Sequence, residues 1–321
     1  MALSRMLSMN GHHVCVWSAL PEEIEELKRT GRQRNLPDME IPPEIRFTVD
    51  LEETIEGRDT LLFAVPSVYV RGTARRAADY VSPGQVIVDV AKGIEPDTLF
   101  TMSEVIRDEI KGNPIVALSG PTHAEEVAKD LPTTIVSACE DMQVAERIQE
   151  IFTTPVMRVY TNPDVKGVEL CGALKNIIAL GAGITAGLGY GDNTKAALIT
   201  RGLAEIRRLG ICMGCHPETF SGLAGMGDLI VTATSMHSRN NRCGYLIGQG
   251  LSAADAAAKV GMVVEGLNAI PAAIALAEKY QVEMPIVQAA DQIVNHGSAP
   301  ADAVRKLMSR NSKTELSYVG D

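Results

Sequence analysis

Val86-Ile-Val-Asp-Val-Ala-Lys-Gly-Ile-Glu95 opens on an apolar run, interrupted by Asp89 alone, that ends at Lys92 and Gly93. A run of this length, rich in β-branched residues and ended by a turn signal, reads as a strand buried on both faces. Ligands of doubly wound sheets gather outside the carboxyl ends of the strands, so Lys92 is placed to enter a cleft. A solvated loop lysine is the alternative. Val14–Trp17, Leu61–Val65 and Ile115–Leu118 have the same strand character, and helical stretches lie among these strands at Pro21–Arg29, Val68–Tyr80 and Asp97–Ile110. That alternation gives βαβ units and an α/β fold on a parallel sheet. Thr134–Ser137 and Met157–Tyr160, on either side of a helix near Asp141–Phe152, are candidates to extend it.

From about Asn162 the pattern changes to helix after helix, with start signals at Asp164, Asp192, Ser238, Ser252 and Pro300. The expected helices are Val168–Leu188, Thr194–Leu209, Arg239–Gly248, Ala253–Val260, Val264–Tyr280, Ile286–Asn295 and Ala301–Ser309. The division is therefore an α/β domain over 1–162 and an all-α domain over 163–321. Neither repeat nor low-complexity linker separates them, and the residues after Ser312 are expected to fray.

A chain of 321 residues suits two domains, and 45% hydrophobic with 22% charged residues describes an ordinary globular composition. A net charge of -10 argues against a nucleic-acid-binding surface, which needs a basic face to displace counterions. Six cysteines in so long a chain point to reduced thiols and a cytoplasmic setting. The N-terminus lacks a signal-peptide pattern. The longest weakly polar stretch, Ile177–Tyr190, falls short of the roughly 20 residues of a spanning helix, so no membrane span is expected.

Within the helical half, Glu169-Leu-Cys-Gly-Ala-Leu-Lys175-Asn176 sets one lysine and one asparagine in an otherwise uncharged stretch. Burying an unpartnered ammonium costs several kcal/mol, so such a lysine meets an anionic or reactive ligand, unless it snorkels from a helix end. Lys175 is the candidate catalytic centre. Gly222-Leu-Ala-Gly-Met-Gly-Asp228 leads through Thr232 and Thr234 to Ser238-Arg239-Asn240. A hydroxyl, a guanidinium and an amide at a helix start can clamp a phosphate or simply cap a surface helix. Asp228 can bond to Lys175 or to a substrate hydroxyl. Ser119-Gly120-Pro121-Thr122-His123-Ala124 ends a strand before a helix, as an ordinary turn and cap would also do. Cys212-Met-Gly-Cys215-His216 has the form of a c-type haem attachment site, but attachment needs an exported chain. Neither haem nor a metal is expected, since no further ligands cluster near this pair.

Taken together, Ala91-Lys-Gly-Ile-Glu, Ser119-Gly-Pro-Thr-His-Ala-Glu-Glu-Val-Ala, Gly172-Ala-Leu-Lys-Asn, Gly191-Asp-Asn-Thr-Lys-Ala-Ala-Leu-Ile-Thr-Arg-Gly, Gly222-Leu-Ala-Gly-Met-Gly-Asp-Leu, Ser238-Arg-Asn, Val263-Val-Glu-Gly and Met284-Pro-Ile closely resemble the bacterial type of NAD(P)-dependent sn-glycerol-3-phosphate dehydrogenase. The resemblance runs from Met1 to about Glu315. It implies a Rossmann-like domain joined to a helical one, and interconversion of dihydroxyacetone phosphate and sn-glycerol 3-phosphate for phospholipid synthesis. It further implies that Lys175 is the general acid and base, and that Lys92, Gly120, Thr122, Asp228, Ser238, Arg239 and Asn240 line the substrate. Lys92, Ala124, Arg239, Val263 and Glu265 match cofactor-contacting positions. A homodimer is the family-level expectation.

The family's opening strand and its Gly-x-Gly-x-x-Gly turn, which lets backbone approach the cofactor pyrophosphate, have no match in this sequence. Met1–Leu7 matches the helix after that turn, leaving about 14 residues unmatched, the length of one central strand with its turn. A start codon assigned too late is the preferred explanation and a genuine truncation the alternative; either way the chain as written is expected to be destabilised or to bind cofactor poorly. Ser18-Ala19-Leu20 stands where an acidic residue would bond the NAD ribose, and Arg32 or Arg34 is available to the extra phosphate of NADP. The competing readings are a non-catalytic phosphometabolite-binding or partner subunit, and a dehydrogenase of another hydroxy acid. The second is weakened by Ser238-Arg-Asn, which a carboxylate substrate would not require.

Overall fold

The computed structural model describes residues 1–312 and 314–315. The expected fraying after Ser312 falls mostly outside them. The chain divides into two compact units, one of residues 1–91 with 102–165, the other of residues 92–101 with everything from 166 onward.

The first unit runs α1 (Ala2–Met9), β1 (Cys15–Trp17), α2 (Pro21–Thr30), β2 (Arg46–Thr48), α3 (Leu51–Ile55), β3 (Thr60–Phe63), α4 (Val70–Ala77), β4 (Val86–Asp89), α5 (Met102–Glu109), β5 (Ile115–Ser119), α6 (Ala124–Val127), β6 (Thr133–Ala138), α7 (Met142–Phe152) and β7 (Met157–Asn162). Every residue of β4 and of β5 is buried, Asp89 and Ser119 at their carboxyl ends included, as β-branched-rich strands covered on both faces should be. β3, β4 and β5 are parallel, with Leu61 opposite Ile87 and Ile87 opposite Ile115. Both candidate runs do extend the sheet, as β6 and β7, but β6 pairs antiparallel with β5. The connection between them, residues 120–132, holds only the four-residue α6 as regular helix. β7 then lies parallel to β6 across α7.

β1 and β2 form a separate two-stranded parallel sheet, with no ladder to the five-stranded one among the described residues. α1 is held by burial of Ala2 and Met6 and by a two-pronged ion pair of Arg5 with Asp130, at 2.7 and 2.9 Å.

The second unit contains α8 (Val165–Gly187), α9 (Asp192–Cys212), α10 (Pro217–Ser221), a π-helical turn at Leu223–Gly227, α11 (Asp228–Thr234), α12 (Arg239–Gly248), α13 (Ala253–Val260), α14 (Glu265–Lys279), α15 (Pro285–Val294) and α16 (Pro300–Met308). Residues 92–101 join it because Ile94 and Leu99 pack into its apolar core. The helix expected from Asp97 begins only at Met102. Leu99 takes a left-handed φ of 62° and Glu95 bonds Phe100 across a turn, which stops any earlier helical start.

α8 is the centre of this unit. At 23 residues and a mean hydropathy of 1.4 it is longer than the apolar stretch the sequence suggested, and it is long and apolar enough to cross a membrane. However, 83% of its apolar stretch is buried in the protein, which is the behaviour of a core helix. It meets α12 backbone to backbone. A methyl group on Gly244 would sit 2.9 Å from the Ile184 nitrogen, and one on Gly187 would sit 2.9 Å from the Gly248 Cα. Gly183 and Gly248 are equally closed by the opposite helix. Ser238 and Ser252 cap α12 and α13 as expected, each accepting from the amide three residues on.

Candidate active site

Lys175 and Asn176 are consecutive on α8, so their side chains leave it about 100° apart and serve different neighbours. Lys175 turns to α11. Its Nζ donates to Asp228 Oδ1 and, at 2.6 Å, to Thr232 Oγ1. Asp228 and Thr232 share one face of α11 because they are four residues apart. The Thr232 hydroxyl spends its own proton on the Asp228 carbonyl at 2.6 Å, which leaves it as an acceptor for the lysine. On its other oxygen, Asp228 accepts from Lys92 Nζ at 2.6 Å. The turn that seats Ile94 and Leu99 in the helical core is what delivers Lys92.

Lys175 is 5% exposed and Asp228 1%, so the cluster is a buried one. Burial disfavours the ammonium of Lys175 and Lys92 repels it, while Asp228 supports it; the outcome is a pKa brought down to about 7. For Asp228 burial opposes ionisation, but two adjacent ammonium groups outweigh it and hold the carboxyl below its usual range. Two cations on one carboxylate leave a residual positive charge when all three are ionised.

Asn176 turns to α12. Its Oδ1 accepts from Asn240 Nδ2 at 2.9 Å, and Asn240 Oδ1 accepts the Gly266 amide of α14 at 2.8 Å. Ser238 uses its hydroxyl as the helix cap, accepting from Asn241 N at 3.2 Å. Of Ser238, Arg239 and Asn240, only the half-buried Arg239 has a side chain with no hydrogen bond or ion pair to another described residue. Val263 and Glu265 flank the start of α14 and are half-buried.

Gly120, Thr122 and Ala124 belong to the first unit, in the turn from β5 to α6. Thr122 Oγ1 donates to the Gly120 carbonyl at 3.1 Å. Gly120 has φ 146°, and a methyl there would meet Ile135 Cα at 3.0 Å, so only glycine fits. After β1, the Ser18 hydroxyl donates to Glu23 at 2.6 Å. Arg32 and Arg34 line a shallow groove with Glu22, Glu23 and Glu26, and three carboxylates make that groove a poor seat for another phosphate.

For an anionic dinucleotide, the second unit offers the uncompensated Arg239 and the first turn of α14, whose Val264 cap makes no side-chain bond. That part fits. The glycine-rich cradle is not among residues 1–20, and α1 opens without a side-chain cap. Among the described residues no three His, Cys, Asp or Glu side chains group to hold a metal. The six cysteines are free thiols, with Cys212 exposed and Cys215 buried.

Two residues of this site carried no role from the sequence. Thr232 was visible only as one threonine of a helix, and Asn176 only as the polar neighbour of Lys175. Outside the site, Glu205 of α9 gave no signal at all. Its buried carboxylate accepts the Ile286 amide at 2.9 and 3.1 Å and the Val287 amide at 3.4 Å, at the start of α15. Burial raises its pKa to about 7 against those amides.

Residues 1–145 match the family model of the NAD-dependent glycerol-3-phosphate dehydrogenase N-terminus, and residues 164–305 that of the C-terminus. The chain is 63% identical to glycerol-3-phosphate dehydrogenase [NAD(P)+] 2 of Lactobacillus delbrueckii subsp. bulgaricus, over 98% of this chain and 96% of that protein. It is 51% identical to the glycerol-3-phosphate dehydrogenase [NAD(P)+] of Agathobacter rectalis, over 98% and 94%. The crystal structure of glycerol-3-phosphate dehydrogenase from Coxiella burnetii superposes with a TM-score of 0.93 at 35% identity, covering 96% of this chain and 95% of that one. The chain therefore belongs to the NAD(P)-dependent glycerol-3-phosphate dehydrogenases, which interconvert dihydroxyacetone phosphate and sn-glycerol 3-phosphate by hydride transfer.

Proposed function

We propose that Lys175 is the group that gives a proton to the ketone oxygen of dihydroxyacetone phosphate and takes it back from sn-glycerol 3-phosphate. The observation that carries this reading is a buried ammonium brought to about 7 with two of its three hydrogens committed to Asp228 and Thr232. The third is left to turn toward a substrate oxygen. A proton donor with a pKa near the working pH serves both directions of the reaction. The bound nicotinamide cofactor supplies or accepts the hydride. As the oxygen gains negative charge, Lys92 and Lys175 lie in low dielectric to offset it, and Asp228 keeps both amines in place.

Arg239 anchors the substrate phosphate, being a cation with no carboxylate partner among the described residues, with Ser238 and Asn240 shaping the helix start around it. Gly120 and Thr122 contribute to the substrate site, while Ala124, Val263 and Glu265, with Lys92 and Arg239, contribute to the cofactor site. The dinucleotide-binding part is residues 1–162 and the substrate part residues 163–321, with Lys92 lent to the latter. On this reading the protein works in the cytoplasm as a homodimer, supplying glycerol phosphate for phospholipids. The alternative of a non-catalytic binding subunit is not favoured: phosphate binding alone has no use for a proton donor poised near neutrality, and the relatives are dehydrogenases.

The test is the pH dependence of turnover in both directions. Ketone reduction needs protonated Lys175 and should decline as pH rises through about 7, whereas alcohol oxidation needs the neutral amine and should increase over the same interval. Asp228→Asn removes the charge that supports the ammonium, so both midpoints should move to lower pH and turnover should fall roughly a hundredfold. Midpoints indifferent to that substitution would remove Lys175 from the proton transfer.

A further inference from the structure

We propose that Asn176 is a positioning residue: through Asn240 it caps the start of α14 from a different helix, so that the Arg239 end of α12 and the Val263–Glu265 stretch are set by one hydrogen-bonded chain. This inference rests on the reading of Arg239 as phosphate anchor and of Val263 and Glu265 as cofactor contacts.

α14 begins with a defect. Its cap residue is Val264, which has no acceptor to offer the free amides of the first turn. The Gly266 amide is instead accepted by Asn240 Oδ1 at 2.8 Å, and Asn240 Nδ2 is held by Asn176 Oδ1 at 2.9 Å. Asn176 Nδ2 donates in turn to the Gly172 carbonyl at 3.2 Å. All four bonding groups are buried, where a lost partner is costly. Both ends of the chain are backbone groups of fixed polarity, a carbonyl that only accepts and an amide that only donates. The orientation of each side-chain amide is therefore determined: turning either one over puts oxygen against oxygen or hydrogen against hydrogen. The fit is also steric. A methyl on Gly266 would stand 2.6 Å from the Asn176 carbonyl oxygen and 3.0 Å from Asn240 Oδ1, so the start of α14 sits directly on this chain.

The arrangement makes the anion clamp and the cofactor stretch answer to the same residue. A ligand that orders Arg239 and its neighbour Asn240 thereby orders Gly266. The readout is hydrogen exchange of the Gly266 amide in the full-length protein, first without ligand and then with saturating sn-glycerol 3-phosphate. Asn176→Ala and Asn240→Ala should each speed exchange of the ligand-free protein about tenfold, and the double variant no more than either. In the unsubstituted protein sn-glycerol 3-phosphate should slow that amide further; in Asn176→Ala it should still bind but leave the amide unslowed. Exchange at the unsubstituted rate in Asn176→Ala, or multiplying effects in the double variant, would overturn the proposal. Arg239→Gln is the separate control: undiminished binding of sn-glycerol 3-phosphate there refutes the anchor reading and leaves the ligand-free result standing.

Asn176→Asp covers the case in which Asn176→Ala does not fold. Its carboxylate has no proton for the Gly172 carbonyl, but the carboxylic acid restores both donor and acceptor. The excess exchange at Gly266, relative to the unsubstituted protein at the same pH, should therefore shrink on acidification. A ratio independent of pH would count against the chain.

Discussion

Lys175 on α8 and Glu205 on α9 are both buried ionisable groups brought to about 7 by the same cause, the loss of water, yet they meet opposite surroundings. Lys175 faces a carboxylate, a hydroxyl and a second amine, all side chains. Glu205 faces two backbone amides that cannot move without unwinding α15. The lesson is that a pKa near neutrality does not by itself mark a catalytic group. What separates the two is whether the partners leave a bonding direction open to a ligand, as they do at Lys175, or bind the group into a helix joint, as they do at Glu205.

The largest effect that would sharpen this contrast is on turnover. Lys175→Met should cost about a thousandfold in kcat in either direction while leaving the thermal midpoint level or higher, because a buried ammonium is gone and Asp228 still has Lys92. Near-normal turnover would erase the distinction. Next comes stability at Glu205. Glu205→Ala leaves two buried amides without an acceptor and should lose about 2 to 3 kcal/mol in urea unfolding, with kcat within a few-fold. Glu205→Gln keeps an acceptor and should lose less.

The two groups also tilt stability with pH in opposite senses. Glu205 titrates near 4.3 when unfolded, so between that pH and about 7 the folded protein holds the extra proton and stability declines as pH rises. Lys175 titrates near 10.4 when unfolded, so between about 7 and that pH the unfolded chain holds the extra proton and stability increases as pH rises. Glu205→Gln should flatten the acid limb and Lys175→Met the alkaline one, each by a few kcal/mol, on the order of the shifts involved. The smallest expected effect is Thr232→Val, which removes one acceptor from Lys175 and should lower kcat roughly five- to tenfold. No change there would show that Asp228 alone orients the amine.

The buried strands β4 and β5 were legible because short runs so rich in β-branched and apolar residues have few other uses, and α12 and α13 because serine caps and periodicity agree on their limits. β2, with three residues and no alternation to show, was not. The start of α5 was misread because periodicity continues across a turn that the left-handed Leu99 interrupts. At the site, Lys175 stood out since a charge in an apolar stretch demands explanation. Glu205 did not, because an acid beside arginines on an amphipathic helix looks solvated, and its real partners are backbone groups that no residue type announces. Asn240 was visible as a polar residue at a helix start, but its bonds to Asn176 and Gly266 depend on how three helices cross.

The contact of α8 with α12 through bare glycines leaves no side chains there to act as springs. Elsewhere in a protein, rotamer changes absorb small displacements between helices; a joint with nothing but main chain on either side has no such slack. The stretch bearing Lys175 and the stretch bearing Arg239 therefore belong to helices whose separation is fixed by main chain, and a side chain added at Gly183, Gly187, Gly244 or Gly248 would have to push the two apart.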